Sequence, residues 1–151
     1  MKSCFFIGHR EATEDIFPRL AEEVDRHISE YGVREFVVGN YGGFDRLAAR
    51  AVIKAKETYP QIVLSMLLPY HPAERPIQLP QGFDGSFYPP GMEKTPRKFA
   101  ILRANQYMVD HTDYLIAYVW HTASNARELL DYGREREGRG LLKITNLCNW
   151  G

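Results

Sequence analysis

Short, nearly unbroken apolar runs alternate along this chain with longer stretches whose apolar residues recur every three or four positions. Ser3–Gly8 contains Cys4-Phe5-Phe6-Ile7, the pattern of a strand covered on both faces. Ile16, Leu20, Val24 and Ile28 then form a helical stripe. Pro18 confines that helix to a start near Ile16 or Phe17, and Gly32 supplies a stop beyond it. Glu35–Gly39 reads as a second strand. Leu47, Ala48, Ala51, Val52 and Ala55 give a second helix with a small-residue face, and Ile62–Leu68 a third strand.

The rhythm breaks over residues 69–98. Seven of the nine prolines fall between Pro69 and Pro96, with Tyr70, Phe83, Phe87 and Tyr88 among them. A connection of this length reads as an insert or lid rather than an ordinary loop. Thr95-Pro96 then reads as an N-cap followed by proline at the first helical position, opening a third helix that runs to about Val109. Asp113–Val119 is a fourth strand, Asn125–Glu137 a fourth helix and Leu141–Thr145 a fifth strand. The alternation predicts one α/β domain over residues 1–151, a three-layer sandwich with a parallel five-stranded sheet of order 3-2-1-4-5. Ligands of such sheets bind beyond the carboxyl ends of the strands, where the strand order switches direction.

Lys plus Arg and Asp plus Glu both number 19, so the formal net charge is zero. That balance argues against a bulk electrostatic nucleic-acid binder. Two cysteines and a chain that starts on a strand predict reduced thiols, no targeting segment and a cytoplasmic location. No apolar run approaches the roughly 18 residues of a membrane span. The five histidines have no metal-ligand spacing, so neither a metal site nor a cofactor is expected.

Candidate chemistry gathers at the predicted strand exits. Gly8-His9-Arg10 follows the first strand. Arg10 either forks onto a phosphate or pairs with Glu11 or Glu14 at the surface, and His9 either caps a ligand or makes a structural hydrogen bond. Gly42 and Gly43 follow the second strand and suit backbone N–H groups facing an anion. Asp45 either caps the second helix or binds a ribose hydroxyl. On the third helix, Arg103 either meets an acid at the surface or enters the crevice with Asn105 or Gln106. Thr122, Ser124 and Asn125 collect hydroxyls, an amide and helix-start N–H groups after the fourth strand, as a phosphate requires. Asn125-x-x-Glu128 also fits a capping box, which would occupy Glu128 with the backbone.

Taken in order, Cys4-Phe5-Phe6-Ile7-Gly8-His9-Arg10, Gly42-Gly43-Phe44-Asp45-Arg46-Leu47-Ala48-Ala49, Arg103-Ala104-Asn105-Gln106-Tyr107-Met108-Val109-Asp110 and Asp113-Tyr114-Leu115-Ile116-Ala117 resemble the SLOG superfamily, and within it the YpsA-type proteins. Relatives in that superfamily include the Lonely Guy phosphoribohydrolases and the DNA-processing protein A fold. The resemblance implies a Rossmann-like sheet binding a nucleotide-type ligand, such as ADP-ribose, a nucleotide sugar or a nucleoside monophosphate. It also implies two alternatives: phosphoribohydrolase (N-glycosidase) activity with Glu128 as the catalytic residue that stabilises an oxocarbenium-like transition state or activates water, and a single-stranded nucleic-acid module using the aromatic residues of the insert. Self-association is a further expectation. The sequence departs from relatives after the fourth strand, where Thr122-Ala123-Ser124-Asn125 lacks their glycines.

Overall fold

A computed structural model describes residues 1–148, so residues 149–151 of the predicted domain lie outside the described residues. The strands are β1 (Lys2–Gly8), β2 (Val33–Val38), β3 (Val63–Leu67), β4 (Gly85–Phe87), β5 (Tyr114–Tyr118) and β6 (Lys143–Asn146). The helices are α1 (Phe17–Ser29), α2 (Gly43–Lys56), α3 (Ala100–His111) and α4 (Asn125–Gly138). All strand pairs are parallel, in the order β4-β3-β2-β1-β5-β6.

Among the described residues the sheet therefore has six strands, where five were expected. The expected five keep their relative order, and β4 is added outside β3. It comes from within the proline-rich insert and consists of Gly-Ser-Phe, too short for a periodic signal. Its pairing is held from the side. Asp84 accepts from the Leu64 N–H at 2.8 Å and from Lys56 Nζ at 2.6 Å, and its own N–H donates to Leu64 O at 2.8 Å. The insert is thus partly built into the sheet edge. Residues 71–78 are exposed.

Alternation along β1 sends its side chains to two cores. Cys4 and Phe6 join Leu20, Val24, Phe44, Leu47 and Val52 beneath α1 and α2. Phe5 and Ile7 join Ala104, Met108, Val109 and Leu130 beneath α3 and α4. Both faces of the central strand are thereby covered, which is why its sequence reads as continuously apolar. Burying one such Phe, Leu or Val side chain contributes about 1.5–3 kcal/mol. Pro18 lies in the first turn of α1, as its missing N–H requires.

One helix start and one helix cap differ from expectation, while α4 opens at Asn125 as expected. Thr95 does not cap α3. Its N–H donates to Met92 O and the Phe99 N–H to Pro96 O, and Arg97–Phe99 forms a turn of 3-10 helix before α3 opens at Ala100. The cap of α4 is Ser124, whose side chain accepts from the Arg127 N–H at 3.1 Å. That sets Glu128 one residue past the capping-box position, so the Asn125–Glu128 box does not form. Among the described residues no helix is long and apolar enough to cross a membrane.

Candidate functional site

The chain runs from β1 outward through β2, β3 and β4, then returns to the other side of β1 for β5 and β6. The direction of travel reverses between β1 and β5. A cavity of about 680 Å³ opens at the carboxyl ends of the strands beside this point. Phe5, Ile7 and Leu67 contribute apolar surface. The β1–α1 turn (Gly8, His9, Arg10, Glu11), Tyr41 and Asp45, the start of α3 and the start of α4 form its walls.

Gly8 is required by packing, since a Cβ there would lie 2.4 Å from the Phe44 ring. His9 follows with only 4 % of its surface exposed. Its Nε2 accepts from the backbone N–H groups of Trp120 at 2.9 Å and His121 at 3.3 Å. His9 therefore ties the exit of β1 to the exit of β5. Burial, followed by the nearby His121, lowers its pKa, so the ring is held neutral. Arg10 is exposed on the cavity wall and makes no ion pair among the described residues.

Gly42 and Gly43 do not line the cavity. The Gly43 N–H donates to Arg10 O at 2.9 Å. A Cβ on Gly43 would lie 2.6 Å from Ala12 O and 2.7 Å from Arg10 O, and one on Gly42, which sits at φ +147°, 2.7 Å from Arg10 Cγ. The glycine pair lets the β1–α1 loop pack onto the start of α2. The Gly43 N–H is occupied by that contact.

Asp45 lies two residues further, half-buried against Gly39, where a Cβ would approach its Oδ2 to 2.8 Å. Its Oδ2 accepts from the Tyr41 N–H at 3.0 Å. Burial pushes its pKa up to about 6, against the opposing pull of that hydrogen bond and of Arg10 and Arg46. An acid desolvated in this way at the wall of a cavity is a candidate functional group.

At the start of α4, the N–H groups of Asn125 and Ala126 have no partner among the described residues, and both residues line the cavity. Ser124 lines it as well. Free N–H groups at a helix start favour an anion. Glu128, released from the capping box, is exposed on the same wall. Thr122 and Arg103 do not line the cavity. Arg103 is exposed on α3 and its charge acts on Tyr132.

Asn105 of α3 lines the cavity, as one expected arrangement had it, and Gln106 does not; sequence reasoning missed the rest of the α3 wall. Lys98, Phe99 and Leu102 line the cavity, and Phe99 and Leu102 are each 45 % exposed. Their signal was available: two large apolar residues spaced by three, off the Ala100–Ala104–Met108 stripe that faces the core. The insert lines the cavity only at its ends, through Pro69 and Lys98. Among the described residues no group of three or more His, Cys, Asp or Glu side chains could hold a metal.

The fold is similar to that of DNA processing protein A from Helicobacter pylori. The match has a TM-score of 0.56 and 17% identity, and covers 98% of this chain and 76% of that one. That structure was described for the single-stranded DNA binding mode of its protein. At this identity the likeness concerns the Rossmann-like fold alone. No family model and no curated protein matches the sequence.

Proposed function

We propose that the cavity binds a nucleotide-type ligand, of the SLOG kind that the motif order resembles. The convergence of Arg10, the unpaired N–H groups of Asn125 and Ala126, and Asp45 on one cavity carries this reading. A phosphate suits the start of α4 beside Arg10, where helix dipole and guanidinium act together. Asp45 suits a sugar hydroxyl, because a carboxylate accepts from such donors. Phe99 and Leu102 offer apolar surface to a base. A volume of about 680 Å³ falls within the usual range for small-molecule sites. Calorimetric titration with AMP, ADP-ribose and NAD tests the reading. Absence of both heat and thermal shift with all three refutes it.

One observation favours a second reading, hydrolysis of the N-glycosidic bond of a nucleoside monophosphate. Glu128 lines the cavity and is not consumed by helix capping. There its carboxylate would stabilise an oxocarbenium-like centre or activate water. Release of free adenine from AMP, abolished in Glu128→Gln, supports this activity, and equal turnover in the variant removes Glu128 from it. Single-stranded DNA, which the similar structure's protein binds, is the remaining alternative, tested by salt-dependent oligonucleotide binding.

A further inference from the structure

We infer that His9 divides its two ring nitrogens between two tasks: Nε2 anchors the β5–α4 turn, and Nδ1–H donates a hydrogen bond to a phosphoryl oxygen of the ligand. This rests on the nucleotide-binding reading above and adds to it a neutral donor that is fixed before the ligand arrives.

The tautomer follows from the backbone. A ring nitrogen that accepts hydrogen bonds carries no proton. Because Nε2 accepts from two N–H groups, the single proton of the neutral imidazole sits on Nδ1. Protonating Nε2 would set an N–H against both backbone donors. The ring cannot swing to exchange its nitrogens without cost. It is 4 % exposed and sits edge-on to Trp120 at 4.0 Å and His121 at 4.9 Å between centroids.

Nδ1–H has no acceptor among the described residues, while His9 lines the cavity. Among the described residues the fully enclosed side-chain nitrogens and oxygens without a partner are Glu23 Oε1 and His27 Nε2, so His9 Nδ1 is not fully enclosed. A donor on an otherwise buried ring, its orientation fixed by the bonds to the other nitrogen, is preorganised to meet a ligand atom. His9 lies between Arg10 and the β5–α4 turn that leads into Ser124 and Asn125, so Arg10 and the helix-start N–H groups suit an anionic oxygen here, while the Glu11 carboxylate on the same turn opposes one. A phosphoryl oxygen would meet a cation, the helix-start N–H groups and this neutral donor together. Since His9 is held neutral, its contribution is directional and leaves Arg10 as the charge partner.

The test uses AMP and two readouts. In His9→Gln, the side-chain amide oxygen reaches the Nε2 position and accepts from the same backbone N–H groups, but no donor stands where Nδ1 was. The expected result is a thermal midpoint close to wild type and an AMP affinity lowered by about five- to tenfold, the worth of one hydrogen bond. Nitrogen NMR of the histidine rings in the wild-type protein gives the second readout. Nδ1 of His9 is expected to be the protonated nitrogen, and its resonance to move on adding AMP. A protonated Nε2 overturns the proposal. So does AMP binding that leaves the Nδ1 resonance unmoved or is equally tight in His9→Gln; in that case nucleotide binding itself stands. If the wild-type protein binds none of AMP, ADP-ribose and NAD, the nucleotide reading falls and this proposal falls with it.

Discussion

Replacing Asp45 with Asn should stabilise this protein at neutral pH and leave its stability almost unchanged in acid. The carboxyl pKa rises from 3.8 to about 6 on folding, chiefly through burial. Between those two values the folded protein holds a proton that the unfolded chain has released. Stability therefore falls as pH rises through this window and levels off above about 6. At about 1.4 kcal/mol per pH unit the full loss is about 3 kcal/mol, and solvent reaching the half-buried carboxyl reduces it to about 2 kcal/mol. An Asn at this position stays neutral throughout. Its amide oxygen can still accept from the Tyr41 N–H, and its shape still fits against Gly39. The expected gain at pH 7 is about 2 kcal/mol, or about 4–8 °C in the thermal midpoint of a domain this size. Urea unfolding of both proteins at pH 4, 5, 6 and 7 measures it, because other titrating groups cancel in the difference. A difference that does not grow between pH 4 and pH 6 refutes the burial argument, as does a variant less stable than wild type at pH 7. If Asp45 meets a sugar hydroxyl, AMP affinity should fall in the same variant, since it replaces an ionised acceptor with a neutral one.

The other predictions concern the cavity walls. Gly43→Ala places a Cβ 2.6 Å from Ala12 O, a contact with backbone that has little freedom to move, and should cost about 2–3 kcal/mol by urea unfolding. Ser124→Ala removes the side-chain cap of α4 and should cost about 1 kcal/mol on the same measurement. Arg10→Gln removes an exposed guanidinium, so the thermal midpoint should hold while AMP affinity falls by about tenfold or more. An unchanged affinity would exclude Arg10 as the phosphate partner. Lys56→Met leaves Asp84 without its 2.6 Å partner at the β4 edge and should increase amide exchange in Gly85–Phe87 ahead of the rest of the sheet.

Much of the fold was legible because its strands are buried on both faces. Cys4-Phe5-Phe6-Ile7 must be a covered strand, and the Leu20–Val24–Ile28 stripe must be a helix lying on it. β4 was not legible, because its three residues owe their extended form to Asp84 and Lys56, which sit far apart in sequence. The site was read in part. Gly8, His9, Arg10, Asp45, Ser124, Asn125 and Glu128 do line one cavity. Gly42 and Gly43 do not line it, and a glycine needed for close backbone packing and one needed for anion contact look identical in sequence. Only the position of the Arg10 and Ala12 carbonyls distinguishes them. Arg103 misled for a related reason. Helical spacing assigns faces relative to one another, and the depth of Ala104 and Met108 in the core decides which face meets the cavity.

The balance of charge around the cavity bears on which phosphate-bearing molecule fits it. Arg10 and Lys98 line the same cavity as Glu11, Glu128 and Asp45. His121 stands 3.9 Å from Glu11 and adds a cation only when protonated. A nucleic-acid strand carries one charge per nucleotide, and proteins that hold it supply a basic track along which those charges are neutralised. Here two cations are matched by at least two carboxylates at pH 7, and over the whole chain the 19 basic residues are matched by 19 acidic ones. A single phosphate asks for less. It can take Arg10 and two helix-start N–H groups while the carboxylates of the lining accept from sugar hydroxyls. The carboxylates that weaken the case for a strand are thus the groups a ribose phosphate would use, and the same arrangement predicts a shallow salt dependence for AMP. A steep loss of AMP affinity with salt, of the kind that accompanies release of several counterions, would contradict this account of the cavity.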